Sequence, residues 1–116
     1  MLPVLLDQNF DHTILHGLLR RIPDLDYVTA HQAGISAVDD PTLLRWAAND
    51  RRVLLTHDLK TMPGHIAAVI AAGDDVAGAV IVPHNVTLVQ AIDELEIIIT
   101  CSSEDEWVNT YRLLPL

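Results

Sequence analysis

Three short and largely apolar runs, at Leu2–Leu6, Arg52–Thr56 and Ala77–Val82, constrain the fold of this chain more than any other feature. Each is too short for a helix. None alternates between apolar and polar residues, so they read as strands covered on both faces. Between them lie segments whose apolar residues recur at helical spacing. Strand and helix in alternation imply parallel strands joined by helical crossovers. The expected architecture is α/β in three layers, with a mainly parallel central sheet of about five strands flanked by helices. At 116 residues the chain is expected to form a single domain, residues 1–116.

The first strand stops at Asp7. A helix is expected from about Asp11 to Arg21, burying Ile14, Leu15, Leu18, Leu19 and Ile22, and ended by Pro23 and Asp24. Asp26–Ala30 reads as a second strand and His31–Val38 as a loop containing Gly34. A second helix is expected with Asp40 as its cap, Pro41 in the first helical position, and Leu43, Leu44, Ala47 and Ala48 buried. The Arg52–Thr56 strand runs into His57 and Asp58. Met62 to Ala72 reads as a third helix stopped by Gly73. Val86 to about Ile98 reads as a fourth, with Ile97–Ile99 open to an extended alternative. Ser103 to Glu106 has capping-box spacing for a short helix. Val108–Leu114 reads as a final edge strand before Pro115.

Half of the residues are hydrophobic, enough for a core without disulfides. The lone Cys101 supports neither a disulfide framework nor a cysteine zinc site; it fits a reducing, cytoplasmic location and is expected to pack in the interior. The opening MLPVLLD lacks a basic start and meets an aspartate too early for a signal peptide. No apolar run approaches the roughly 20 residues of a membrane helix, so no membrane partner is expected. Seven Lys and Arg against 16 Asp and Glu give a net charge of −9. That balance argues against tight nucleic-acid binding by the protomer alone, because affinity for a polyanion comes mainly from Lys and Arg on phosphates. A bound divalent cation or a basic partner would change the local sign.

The candidate chemistry lies at the strand ends. In open α/β sheets ligands bind outside the carboxyl ends of the strands. Asp7 and Asp58 both follow apolar strands there, and two such carboxylates converging on one site suit a hard cation such as Mg²⁺. Turn or cap formation is the alternative role for each, with Asn9 and Asp11 as other caps near Asp7. Asp40, preceded by Asp39, is explained by capping alone, although a capping carboxylate can still face the strand ends. His12 and His16 share one helix face but lack the glutamate of the zinc-protease pattern, and read as a solvated helix edge. His57 stands beside Asp58. His31, His65 and His84 have no evident partner. Trp46 and Trp107 read as core residues. No phosphate-binding loop, GxGxxG motif or nucleophile elbow is present.

Taken together, these segments resemble a family. Leu5-Leu6-Asp7-Gln8-Asn9-Phe10 is similar to the opening "LLDEN-L" of stand-alone PIN-like domains, an uncharacterised branch related to VapC-type toxin ribonucleases. Gly34 through Asp40 to Trp46-Ala47 resembles their "G-x-SDEEIL-x-WA" segment. Val53-Leu54-Leu55-Thr56-His57-Asp58 resembles "VLVTxD-x-DF", and Gly78–Val82 their following "GVIxL" strand. The resemblance implies a metal-dependent ribonuclease, hydrolysing phosphodiesters with Mg²⁺ or Mn²⁺ held by Asp7, Asp40 and Asp58, and acting as the toxin of a toxin–antitoxin pair. Asn9, His57 and Lys60 are then expected to contact substrate. The expected partners are an RNA substrate, an antitoxin or other protein, and a second copy of the chain. Three positions depart from the family pattern. Lys60 replaces an acid two residues after Asp58, Gln8 replaces the acid after Asp7, and Pro41-Thr42 replaces the pair after Asp40.

Two other readings compete. One is a catalytically silent PIN-like domain that binds a protein partner, which the charge and Lys60 favour. The other is a phospho-acceptor signalling domain with Asp58 as acceptor. Asp7-Gln8 is not the acidic pair that chemistry wants, and Pro83-His84 supplies no lysine after the fourth strand.

Overall fold

Largely apolar strands make sense only if both faces of the sheet are covered, and the computed structural model, which describes residues 1–116, has that arrangement for β1, β3 and β4. The elements run β1 (Val4–Leu6), α1 (His12–Arg21), β2 (Tyr27–Thr29), α2 (Asp40–Asn49), β3 (Val53–Thr56), α3 (Met62–Ala71), β4 (Ala79–Ile81), α4 (Leu88–Cys101), α5 (Glu104–Trp107) and β5 (Tyr111–Leu113). The strands form one sheet in the order β2-β1-β3-β4-β5. Every pairing is parallel, so the expected "mainly parallel" sheet is wholly parallel.

Side chains alternate between the two faces of a strand. Val4, Leu6, Val53, Leu55 and Val80 meet α1 and α4 on one face. Leu5, Leu54, Ala79 and Ile81 meet α2 and α3 on the other. Each of α1 to α4 supplies an apolar stripe at three- and four-residue spacing. Ile14, Leu15 and Leu18 do so on α1, and Ala91, Ile92, Leu95, Ile98 and Ile99 on α4. No helix is long and apolar enough to cross a membrane.

Several boundaries differ from expectation for local reasons. Asp39, not Asp40, caps α2: its backbone is extended and its side chain accepts the Thr42 N–H at 2.9 Å. Pro41 is then the second helical residue, where its missing N–H is still harmless. Thr87 caps α4, and Ile97–Ile99 stay helical because Ile98 and Ile99 continue its buried stripe. The helix therefore extends to Cys101, whose side chain is exposed rather than interior, because it lies off that stripe at the last turn. Ser103 precedes α5, but its hydroxyl bonds the Glu106 carboxylate at 3.1 Å and not the helix backbone. Trp107 is buried and Trp46 half-buried.

The amino-terminal end of the sheet is clamped by Arg52. Its guanidinium donates to the Val4 and Asp26 carbonyls, to the Asp26 carboxylate at 2.9 Å and to the Asp50 carboxylate at 2.7 Å. One side chain thus ties the starts of β1, β2 and β3 together. The opposite end carries the acids.

Candidate active site at the strand ends

The order 2-1-3-4-5 makes the chain leave β1 toward β2 and then cross to β3 on the other side. The carboxyl ends of β1 and β3 diverge into separate loops at that point, the usual place for a ligand in a doubly wound sheet. Asp7 follows β1. Its N–H donates to the Leu55 carbonyl at 3.0 Å, continuing the ladder and fixing the residue against β3. Asp11, rather than Asp7, caps α1 by accepting the Thr13 N–H at 2.8 Å. The Asp7 carboxylate instead accepts the Gln8 N–H and the Thr56 hydroxyl, both at 2.8 Å.

Thr56 is the sole fully buried polar residue. It ends a strand otherwise made of Val and Leu, so its hydroxyl has to find partners inside the protein. It donates to Asp7 and accepts the Asp58 N–H at 3.1 Å, joining the two strand-end acids through one oxygen. The sequence signal was available: a hydroxyl closing an apolar run immediately before His-Asp. Replacing Thr56 with Val keeps the shape and removes this bridge. We expect a loss of about 1–3 kcal/mol in urea unfolding, with Thr56→Ser recovering most of it.

Asp58 sits in the turn before α3. Both of its oxygens accept from Thr61, one from the N–H at 2.9 Å and the other from the hydroxyl. Burial disfavours its charge, but hydrogen bonds from Thr61 and from the Lys60 backbone outweigh that and pull its pKa below the ordinary carboxylate value. Asp40 is the reverse case. Relieved of capping by Asp39, it lies half-buried in the first turn of α2. Burial, and then the negative charge of Asp7, push its pKa up, with Asp58 and Asp39 adding to the repulsion. His65 on α3 partly offsets this, with its Nε2 at 3.5 Å from the carboxylate. Asp39 itself is held below the ordinary value by hydrogen bonding from Thr42.

Asp7, Asp40 and Asp58 line one open cleft of about 650 Å³, together with Asn9, His57 and Lys60. All six residues expected to act are therefore brought to one place. Lys60 is the only Lys or Arg there. His57 has a structural task. Its Nδ1 is 2.7 Å from the Val82 carbonyl and its Nε2 accepts the Asp11 N–H at 3.0 Å, which fixes the proton on Nδ1. The ring is sandwiched between Phe10, at 4.6 Å between centroids, and His84, at 4.7 Å. His57 thus bolts the start of α1 to the end of β4, and both its nitrogens are occupied. His84 was not singled out by sequence; its place after the fourth strand matches those of Asp7 and Asp58 after the first and third.

The donors suit a hard divalent cation. Mg²⁺ retains several waters and takes one or two carboxylates. Asp7 and Asp40 can supply them, and the mutual repulsion that raises Asp40 is what a cation relieves. No three His, Cys, Asp or Glu side chains are drawn together closely enough to cage a metal. The arrangement fits a largely hydrated ion, with Asp58 as a third carboxylate already hydrogen-bonded to Thr61. His12 and His16 stand outside this cleft, exposed on α1, with ring centroids 6.5 Å apart. Comparison with protein-family models, curated proteins and solved structures finds no match to the chain.

Proposed function

We propose that this protein is a metal-dependent ribonuclease of the PIN-like kind, hydrolysing phosphodiester bonds of RNA as the toxin of a toxin–antitoxin pair. The observation that supports this reading is the meeting of Asp7, Asp40 and Asp58, from three separate segments, in one open cleft at the β1/β3 divergence. On this reading Asp7, Asp40 and Asp58 would hold Mg²⁺ or Mn²⁺, Asp7 and Asp40 with the freer oxygens because both Asp58 oxygens accept from Thr61. An ion held there would supply a more acidic bound water and positive charge against the phosphate. Thr56 orients Asp7 through its hydroxyl. Lys60, the one Lys or Arg of the cleft, pairs with a phosphate oxygen, and Asn9 contacts the adjoining nucleotide. A chain of net charge −9 needs such local compensation to hold a polyanion.

A second reading, a catalytically silent domain that binds a protein partner, draws support from Asp58, both of whose oxygens are already engaged by Thr61. Calorimetric titration with Mn²⁺ separates the two. The nuclease reading expects binding by the wild type that disappears in Asp7→Asn/Asp58→Asn, together with Mn²⁺-dependent cleavage of single-stranded RNA. No binding by the wild type defeats it and favours the silent module.

A further inference from the structure

A second groove, of about 550 Å³, opens on the other side of Asp7. It runs between the first turns of α1 and the loop after β2, and shares Asp7, Gln8 and Asn9 with the acid cleft, so the two are continuous. Its chemistry is different. No Lys or Arg lines it, and its one charged carboxylate is the shared Asp7. What it offers is planar rings and carboxamides. His12, His16, His31 and Tyr27 supply the rings. His12 and His16 project from successive turns of α1 with their planes at 88°. Gln8, Asn9 and Gln32 supply the amides.

Gln32 is held in a fixed orientation. Its Oε1 accepts the Thr29 N–H at 3.0 Å, while its own N–H donates to the Thr29 hydroxyl at 3.0 Å. The side-chain NH₂ is left as a hydrogen-bond donor at the groove.

This composition discriminates among ligands. A phosphate wants fixed positive charge, and the groove has none. A transition metal held by imidazoles wants several of them gathered at one point, and the groove histidines are not so gathered. A heterocyclic base wants flat rings to stack on and paired donors and acceptors along its edge, and both are present. Bases present those edges when unpaired, so the strand is single.

We propose that this groove is a nucleobase subsite. It receives the base of a nucleotide in a single-stranded RNA whose neighbouring phosphate lies in the acid cleft. The base stacks on one α1 histidine, meets the perpendicular ring of the other at its edge and lies against Tyr27, and its own edge is read by Gln32 and Asn9. The order of subsites along the strand rests on the nuclease reading above; recognition of the base by the groove does not need cleavage.

The test uses nucleosides, which carry the base without phosphate. Adenosine and uridine are titrated into ¹⁵N-labelled protein and followed by NMR, with ribose 5-phosphate as the base-free control. The expected result is a saturable shift of Tyr27, His16 and Gln32 resonances with a nucleoside but not with ribose 5-phosphate, reduced at least about 10-fold in affinity by His12→Ala/His16→Ala. Both histidines are exposed, so the variant retains its fold, and the dispersion of its spectrum checks this. Absence of nucleoside shifts, equal shifts with ribose 5-phosphate, or full binding by the double variant overturns the proposal. Nucleoside binding without any RNA cleavage would defeat the nuclease reading and keep the subsite. Cleavage with no nucleoside binding would do the opposite.

Discussion

Replacing Asp40 with Asn is expected to stabilise the metal-free protein at pH 7 and to weaken its affinity for Mn²⁺ by more than about 100-fold. Both effects come from one cause. Burial and the charge of Asp7 raise the pKa of Asp40 above its ordinary value of 3.8. A carboxyl raised in the folded state holds its proton more tightly there than in the unfolded chain. Its contribution favours folding below pH 3.8 and is lost as pH rises through the folded value. At pH 7 the ionised carboxylate therefore works against the fold, and Asn removes it. The gain stays below about 1 kcal/mol, since the group is partly exposed and a negative charge in the first turn of α2 is otherwise favourable. Urea unfolding with chelator present should show the difference at pH 7 and none at pH 3, where the carboxyl is protonated in both states. A variant that is less stable at pH 7, or that still binds Mn²⁺ like the wild type, would remove Asp40 from the proposed ligand set.

Gly78→Ala should be among the most damaging substitutions in the chain, costing about 3 kcal/mol or more of a total stability on the order of 5–15 kcal/mol. Gly78 immediately precedes β4 and has a φ of 110°, which disfavours any residue with a Cβ. Its carbonyl accepts the Leu54 N–H at 2.9 Å, so the backbone cannot turn away without breaking the β3–β4 ladder. A Cβ here would stand 2.5 Å from the Trp107 carbonyl oxygen. That oxygen is itself held by the Thr110 N–H at 3.1 Å and hydroxyl at 2.9 Å, and the Trp107 ring is core. The obstacle is backbone fixed on both sides. Gly34→Ala is the control: φ is again positive, at 73°, but nothing lies within 4 Å of the added carbon, so the loss should be near 1 kcal/mol. Equal urea midpoints for the two variants would contradict this account.

Three of the strands and two of the acids are legible because their signals are local, whereas β2 is half-buried and β5 exposed. Apolar runs buried on both faces cannot be mistaken for loops, and Asp7 and Asp58 follow such runs directly. The cap of α2 was misassigned by one residue. Asp39 and Asp40 are chemically identical, and Pro41 is tolerated at either of the first two helical positions, so only the backbone conformation of Asp39 distinguishes them. That single residue matters, because it decides whether Asp40 spends its oxygens on a helix or presents them to the cleft. His57 was legible as a position but not as a role. Its partners, Asp11 and Val82, lie 46 and 25 residues away, and no periodicity reports such contacts. The histidine-lined groove was hidden for the same reason: His31 and Gln32 meet His12 and His16 only because β2 lies beside β1. Nor does the strand order choose among functions, since doubly wound sheets of this order carry unrelated chemistries.

The Arg52 clamp bears on where this chain tolerates change. It fastens three strands at the end of the sheet away from the acids. Substitutions of exposed residues at the carboxyl ends, such as Gln8, Asn9 and Lys60, leave this anchorage untouched. The chemistry of the cleft can be altered at such positions while the start of the sheet stays fastened.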